Sequence, residues 1–271
     1  MSESMTIALA QMAPQLNDPS GNLRRMGDMI ERVCTQEKVD MLVFPELVTT
    51  GYECGLRFTD FAERVPGPTV NLLAKEAADF NIHLVFGMAA KARVETVLYD
   101  ALVIIGPDGE VIGSYNKVHL RGEERIVFRS GYRFSVFETA LGPIGVLAGW
   151  DLAFPEAARS LVLDGAELLL VAGAWDADLG NMWPVLNRAR AMENSVFVAA
   201  VNRVGEEPSY RFAGGSMVVG PYGDIYASLD EAVEGYAIAR IDLSAVREAR
   251  EKLQLMQHRE PAAYRAVVRK Y

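Results

Sequence analysis

Short apolar runs alternate with amphipathic stretches along the whole chain. The run "MTIALAQM" predicts a strand, and "GNLRRMGDMIERVCT" places apolar residues near helical spacing. "VDMLVFPEL" predicts a buried strand that ends at a Pro-Glu step, "TVNLLAKEAADF" a helix and "IHLVFGMAA" a strand. The stretch "TVLYDALVIIGPDGEVIGSYNKVHL" predicts two strands joined by a tight turn at Pro107-Asp108-Gly109. Proline there fixes φ, and glycine accepts a positive φ. The strand "IGVLAG", the helix "FPEAARSLVLDG" and the strand "AELLLVAGA" follow. "MWPVLNRARAMENS" predicts a helix with Pro184 near its start, where a missing N–H is tolerated. "VFVAAVN", "SMVVGPYGD" and "YAIARIDL" predict the last strands, and the tail from Ala245 mixes helix with charged loop. Hairpins mixed with strand–helix units argue against a simple doubly wound sheet. They predict an α/β fold of two mixed sheets packed together, with helices outside. No low-complexity linker, sequence repeat or composition break divides residues 1–271, so the pattern predicts a single domain.

Composition narrows the function classes. Half of the 271 residues are hydrophobic, enough for one large core. The formal net charge is −9 and no basic run is present, which argues against nucleic acid or an anionic membrane surface as a partner. The N-terminal "MSESMTIALAQMAP" lacks the basic and long apolar regions of a signal peptide. No stretch of about 18 apolar residues is present to span a bilayer. Cys34 and Cys54 form no CxxC pattern, which makes the cytoplasm the expected compartment. His83, His119 and His258 are dispersed, so no zinc site is expected.

Several residues at predicted strand ends carry chemistry. Glu46, in "FPEL", stands at the rim of a sheet core, where partial burial would raise a carboxyl pKa and suit it to general base work. A solvated loop glutamate is the competing reading. Lys117, in "YNKVHL", could stabilise a developing oxyanion or be a surface charge. Glu124, beside Glu123 and Arg125, has the pattern of an exposed charge cluster. Gly149-Trp150-Asp151 is the apex of a strand–turn–helix, where glycine meets a tight turn without strain and the Trp150 N–H points out of the helix start. Trp175 and Trp183 could each be core or pocket wall, and Tyr52, Trp150 and Trp175 are the candidate walls for a small substrate. Asn202, Arg203 and Gly205 close a further strand at a rim.

Taken together, the blocks "LVFPELVTTGY", "YNKVHL", "GVLAGWDLAFPEAARSL", "RARAMENSVFVAAVNRVG" and "FAGGSMVVGPYGD" resemble the nitrilase, or carbon–nitrogen hydrolase, superfamily. Each block is weak alone, but their order and spacing are specific and cover nearly the whole chain. The resemblance implies a four-layer αββα sandwich, at least a homodimer, no cofactor and a small-molecule amide substrate. It also implies a glutamate base, a lysine, a second glutamate and a cysteine nucleophile, which fall on Glu46, Lys117, Glu124 and Gly149. The Trp150 N–H falls where the oxyanion would be held.

Glycine at the nucleophile position removes the atom that attacks the substrate. Two readings stay open. One is an amidase for a small linear amide or N-carbamoyl amine, its cysteine replaced by engineering and the chain thereby inactivated. The other is a natural non-catalytic protein that binds a small amide, a carboxylate or a protein partner. A different reaction using the Glu–Lys pair alone is a third. Retention of Glu46 and Lys117 favours the first, since an abandoned site would be free to lose them. Cys54 follows "TGY", in a loop the family places near the pocket.

Overall fold

Alternation along the strands decides the layers. In β1 (Ser4–Gln11), Ile7 and Leu9 join one apolar cluster, while Ala8 and Ala10 join another. In β2 (Met41–Val43), Met41 and Val43 take the first side and Leu42 the second. The second cluster is completed by helices. Met26, Ile30 and Val33 of α1 (Pro19–Gln36) pack there, with Val70, Leu73 and Ala77 of α3 (Pro68–Phe80). α1 starts where the Asp18 carboxylate accepts the Gly21 N–H at 3.0 Å, with Pro19 in the first turn. The computed structural model describes residues 4–94, 96–229 and 232–269.

The first sheet also holds β3 (His83–Lys91), β4 (Leu98–Ile105), β5 (Val111–Asn116) and the chain's last strand, β14 (Gly235–Asp242). Its order is β14-β1-β2-β3-β4-β5. The second sheet holds β6 (Val136–Thr139), β7 (Gly142–Ala148), β8 (Leu168–Gly173), β9 (Phe197–Asn202), β12 (Met217–Val219) and β13 (Ile225–Ser228), in the order β13-β12-β9-β8-β7-β6. A small hairpin of β10 (Val204–Glu206) and β11 (Arg211–Ala213) stands apart. Both sheets are mixed. β1–β2–β3 and β7–β8–β9 run parallel, and every other pairing is antiparallel.

The first apolar cluster joins the inner faces of both sheets. It continues into α5 (Pro155–Leu163) and α6 (Met182–Asn194), which contribute Ala157, Leu161, Trp183 and Ala191. The layers therefore run helix, sheet, sheet, helix, as the sequence predicts. The Pro107-Asp108-Gly109 turn joins β4 to β5, with Gly109 at φ +79°. The short helices α2 (Phe58–Phe61) and α4 (Glu124–Val127) and the late helix α7 (Ser244–Leu253) complete the elements the site and tail draw on. Among the described residues no helix is long and apolar enough to cross a membrane. The β10–β11 hairpin is absent from the sequence reading, because each of its strands is only three residues long.

Candidate active site

The parallel strands of each sheet end at one rim, where ligands bind in sheets of this kind. Glu46 follows β2, Gly149 follows β7, Ala174 and Trp175 follow β8, and Lys117 follows β5. Backbone packing brings the first of these close to β3. A Cβ on Gly87 would stand 2.5 Å from the Leu47 nitrogen, so only glycine lets the Glu46 turn lie against that strand.

Lys117 is the hub. Its ammonium donates to Glu46 Oε1 at 2.5 Å and to Glu124 Oε1 at 2.7 Å, and lies 3.6 Å from Asp100 Oδ2. All four side chains are buried. Glu46 Oε2 accepts the Ala174 N–H at 2.8 Å. Glu124 also accepts the Tyr52 hydroxyl at 2.5 Å and the Arg121 N–H at 2.9 Å. Burial opposes the Lys117 charge, but the Glu46, Glu124 and Asp100 carboxyls outweigh it and hold the ammonium well above its ordinary pKa. The Tyr52 phenol is pushed up by burial and then by the Glu124 charge, so it stays a protonated donor. Thus Glu124 belongs to the buried cluster and not to an exposed charge patch, and Lys117 is no surface charge.

Glu46, Asp100 and Glu124 each place a carboxylate oxygen within 4.8 Å of the others, a spacing that could hold a cation. The Lys117 ammonium already lies against all three, so a divalent ion would have to displace it.

Gly149 opens a short 3-10 turn (Gly149–Ala153) between β7 and α5. Its φ is +37°, in the left-handed region, and a Cβ there would overlap Glu46 Oε2. The turn is clamped by Asp151. Its buried carboxylate accepts the Tyr115 hydroxyl at 2.6 Å, the His119 N–H at 2.8 Å and the Ala148 N–H at 3.2 Å. Because Tyr115 and His119 flank Lys117 in sequence, Asp151 ties the turn to the lysine's own segment.

A cavity of about 180 Å³ opens onto this cluster. Glu46, Lys117, Glu124 and Gly149 line it, together with Tyr52, Arg121, Gly122, Trp150, Ala174, Trp175, Asp176 and Tyr210. Glu46, Tyr52, Lys117, Glu124, Gly149, Trp150 and Trp175 therefore meet at one cavity, whereas Trp183, Asn202, Arg203 and Gly205 do not line it. The Arg121 guanidinium stacks over the Trp150 ring at 4.5 Å, and the Trp150 and Trp175 rings lie 5.2 Å apart. Trp183 lies behind Trp175 as core. Asn202 accepts the Trp175 N–H at 2.8 Å, and Arg203 pairs with Glu207. Cys54 does not line the cavity. Its thiol donates to Thr50 O at 3.2 Å inside an apolar cluster, and burial pushes its pKa up to about 11. Sequence reasoning missed Asp100, Arg121, Asp151 and Glu207. Asp151 had a signal, since it ends the "GWD" apex, whereas the others stand in stretches with no pattern.

The carbon–nitrogen hydrolase family model matches residues 6–251. The chain belongs to this family. Among its relatives in the carbon–nitrogen hydrolase family is a probable nitrilase of Schizosaccharomyces pombe, 36% identical over 266 residues, covering 97% of this chain and 98% of that one. A 2-oxoglutaramate amidase of Bacillus subtilis is 32% identical, covering 92% and 95%. Solved structures agree in fold. A Helicobacter pylori carbon–nitrogen hydrolase superposes with a TM-score of 0.90 over 99% of both chains, at 24% identity. A cysteine-to-alanine variant of the Nesterenkonia AN1 amidase superposes with a TM-score of 0.81, at 29% identity, covering 93% and 96%.

Proposed function

We propose that this site is built to hydrolyse a small linear amide or N-carbamoyl amine, and that the chain as it stands binds such a compound without turning it over. The observation that carries the proposal is the cluster of Glu46, Lys117 and Glu124, buried and hydrogen-bonded together in the cavity that Gly149 also lines. The cavity volume matches about six water-sized groups, which suits a small substrate. The relatives include proteins named nitrilases as well as amidases, so the choice of an amide rests on the motif resemblance and is what the substrate panel below tests. For the Nesterenkonia amidase, one structure carries the acetamide moiety of fluoroacetamide on the active-site cysteine, and a double variant is complexed with acrylamide.

With cysteine at position 149 the roles are as follows. Glu46 takes the thiol proton and the thiolate adds to the amide carbon. Lys117 and the Trp150 N–H hold the oxyanion. The C–N bond breaks as Glu46 returns the proton to the leaving nitrogen, and water then hydrolyses the thioester. Glu124 and Tyr52 fix the lysine, while Trp150 and Trp175 bound the substrate. Residues 1–271 act as one domain, paired with a second copy.

One observation favours the second reading, a non-catalytic binding protein. The Glu46 carboxylate fills the space where a side chain at 149 would start, and the backbone there suits glycine. The test is ammonia release from short amides, carbamoyl amines and nitriles, comparing this chain with Gly149→Cys. The cysteine form is expected to hydrolyse amides, with a gain on the order of a million-fold. A folded cysteine form that stays silent, while the glycine form binds the same amides in calorimetry, would establish the binding reading instead.

A further inference from the structure

Asp100 is the member of the cluster that no donor reaches. It lies on β4 with its carbonyl accepting the N–H of Lys117, the residue just past β5, at 2.9 Å, so the two residues sit side by side where the β4–β5 pairing ends. It is fully buried, and neither of its carboxyl oxygens has a hydrogen-bond donor. The Lys117 ammonium, at 3.6 Å, is beyond hydrogen-bond length. Each oxygen of the other two carboxyls already has at least one donor, with acceptor capacity left on Glu46. Glu46 receives Lys117 on one oxygen and the Ala174 N–H on the other. Glu124 receives Lys117 and Tyr52 on one oxygen and the Arg121 N–H on the other.

Charge counting then matters. Three ionised carboxylates against one ammonium would leave two negative charges uncompensated in a buried site, and such sites take up a proton instead. That proton belongs on the carboxyl with the fewest donors, where ionisation is least supported. We infer that Asp100 is a neutral carboxylic acid at neutral pH, a positioning residue whose hydroxyl donates to the Glu46 carboxylate beside position 149. Burial, and next the Glu46 charge, push the Asp100 carboxyl well above the ordinary range, with Lys117 pulling the other way and Glu124 adding to the rise. The groups facing it are thus Glu46, Lys117 and Glu124, with Tyr52 beyond the lysine. Aspartic acid is suited to this place because a carboxylic acid O–H to a carboxylate is a strong, short bond.

The protonation state stands independently of the amidase reading, whereas its kinetic consequence rests on it. Infrared spectroscopy on the chain as it exists tests the first. A carboxylic acid C=O band is expected at neutral pH, lost in Asp100→Asn and retained in Glu123→Gln. Absence of the band, or its persistence in Asp100→Asn, overturns the inference. The second readout is the pH profile of kcat/KM in the Gly149→Cys form. Asp100→Leu removes the donor and is expected to move the acid limb up by about one pH unit, while Asp100→Asn, which can still donate, leaves it in place. An ionised Asp100 gives a different sign. Asp100→Asn would then delete a negative charge beside Glu46 and move the limb down. If the cysteine form is inactive on every substrate, the amidase reading fails and the infrared result still decides the protonation state.

Discussion

A side chain at position 149 meets two obstacles, a left-handed φ of +37° and the Glu46 carboxylate in its path. Gly149→Ala is therefore expected to destabilise the fold by about 1–3 kcal/mol, even though it adds one methyl group. Gly27, on α1, has open space where its Cβ would go, and Gly27→Ala is expected to stabilise by up to about 1 kcal/mol. Urea titrations of the two variants check both signs, and equal stabilities would show that the turn at 149 holds no strain. Lys117 makes the complementary argument. Its folded pKa lies above its unfolded one, so its stabilisation is fully present below the unfolded value and is lost as pH rises through the folded value. The contribution thus persists through neutral and mildly alkaline pH. Lys117→Met would leave Glu46 and Glu124 buried without their cation, a loss of about 3–5 kcal/mol at neutral pH. The loss shrinks in acid, where carboxyls are neutral, and denaturation at the two pH values measures the difference. The sequence marked Glu46, Lys117 and Glu124 as positions in a familiar order of motifs. It could not mark Asp100, because a single polar residue inside "LYDALVII" has no pattern, and its meaning comes from the strand register that sets it beside Lys117.

At the scale of elements, the loop after β2 is held from the other sheet's side of the chain. The buried Glu207 carboxylate accepts the Tyr52 N–H at 3.0 Å and the Glu53 N–H at 2.6 Å, and pairs with the Arg203 guanidinium, which stacks on Phe212 at 4.1 Å. Through Tyr52 this clip reaches Glu124 and the lysine. Glu207→Gln keeps the shape but leaves buried Arg203 without its counter-charge, an expected loss of about 3 kcal/mol. The loop should also loosen, exposing the Cys54 thiol beneath it. The rate of Cys54 modification by a thiol reagent, in a Cys34→Ser background, is expected to rise, and an unchanged rate would show that the loop is held without Glu207. The main strands and helices were legible because their periodicity is long enough to see. β10 and β11 were not, since three-residue strands carry no period, yet this hairpin flanks the residue that fixes Tyr52.

At the scale of the molecule, the two sheets follow one path. From one edge to the other, β14-β1-β2-β3-β4-β5 and β6-β7-β8-β9-β12-β13 show the same series of antiparallel, parallel, parallel, antiparallel and antiparallel pairings. No repeat is visible in the sequence, because packing needs only apolar residues at matching positions, not the same ones. The outer helical layers nevertheless differ. Among the described residues of α1 and α3, Leu72 is the one large hydrophobic left exposed. The opposite layer exposes Leu163 on α5 and Met182, Val185 and Met192 on α6, and beyond α7 the tail exposes Leu255, Tyr264, Val267 and Val268. Val268 is 86% exposed, and every residue from Pro261 to Arg269 is exposed. If these residues of α5, α6 and the tail form an interaction surface, a closed homodimer would cover the same patch on both copies. Sedimentation velocity at micromolar concentration is expected to give twice the chain mass. Val185→Glu combined with Val268→Asp, both at exposed positions, should give the chain mass while leaving the folded circular dichroism spectrum unchanged. A monomer before substitution, or a dimer that survives both charges, would remove this face from consideration.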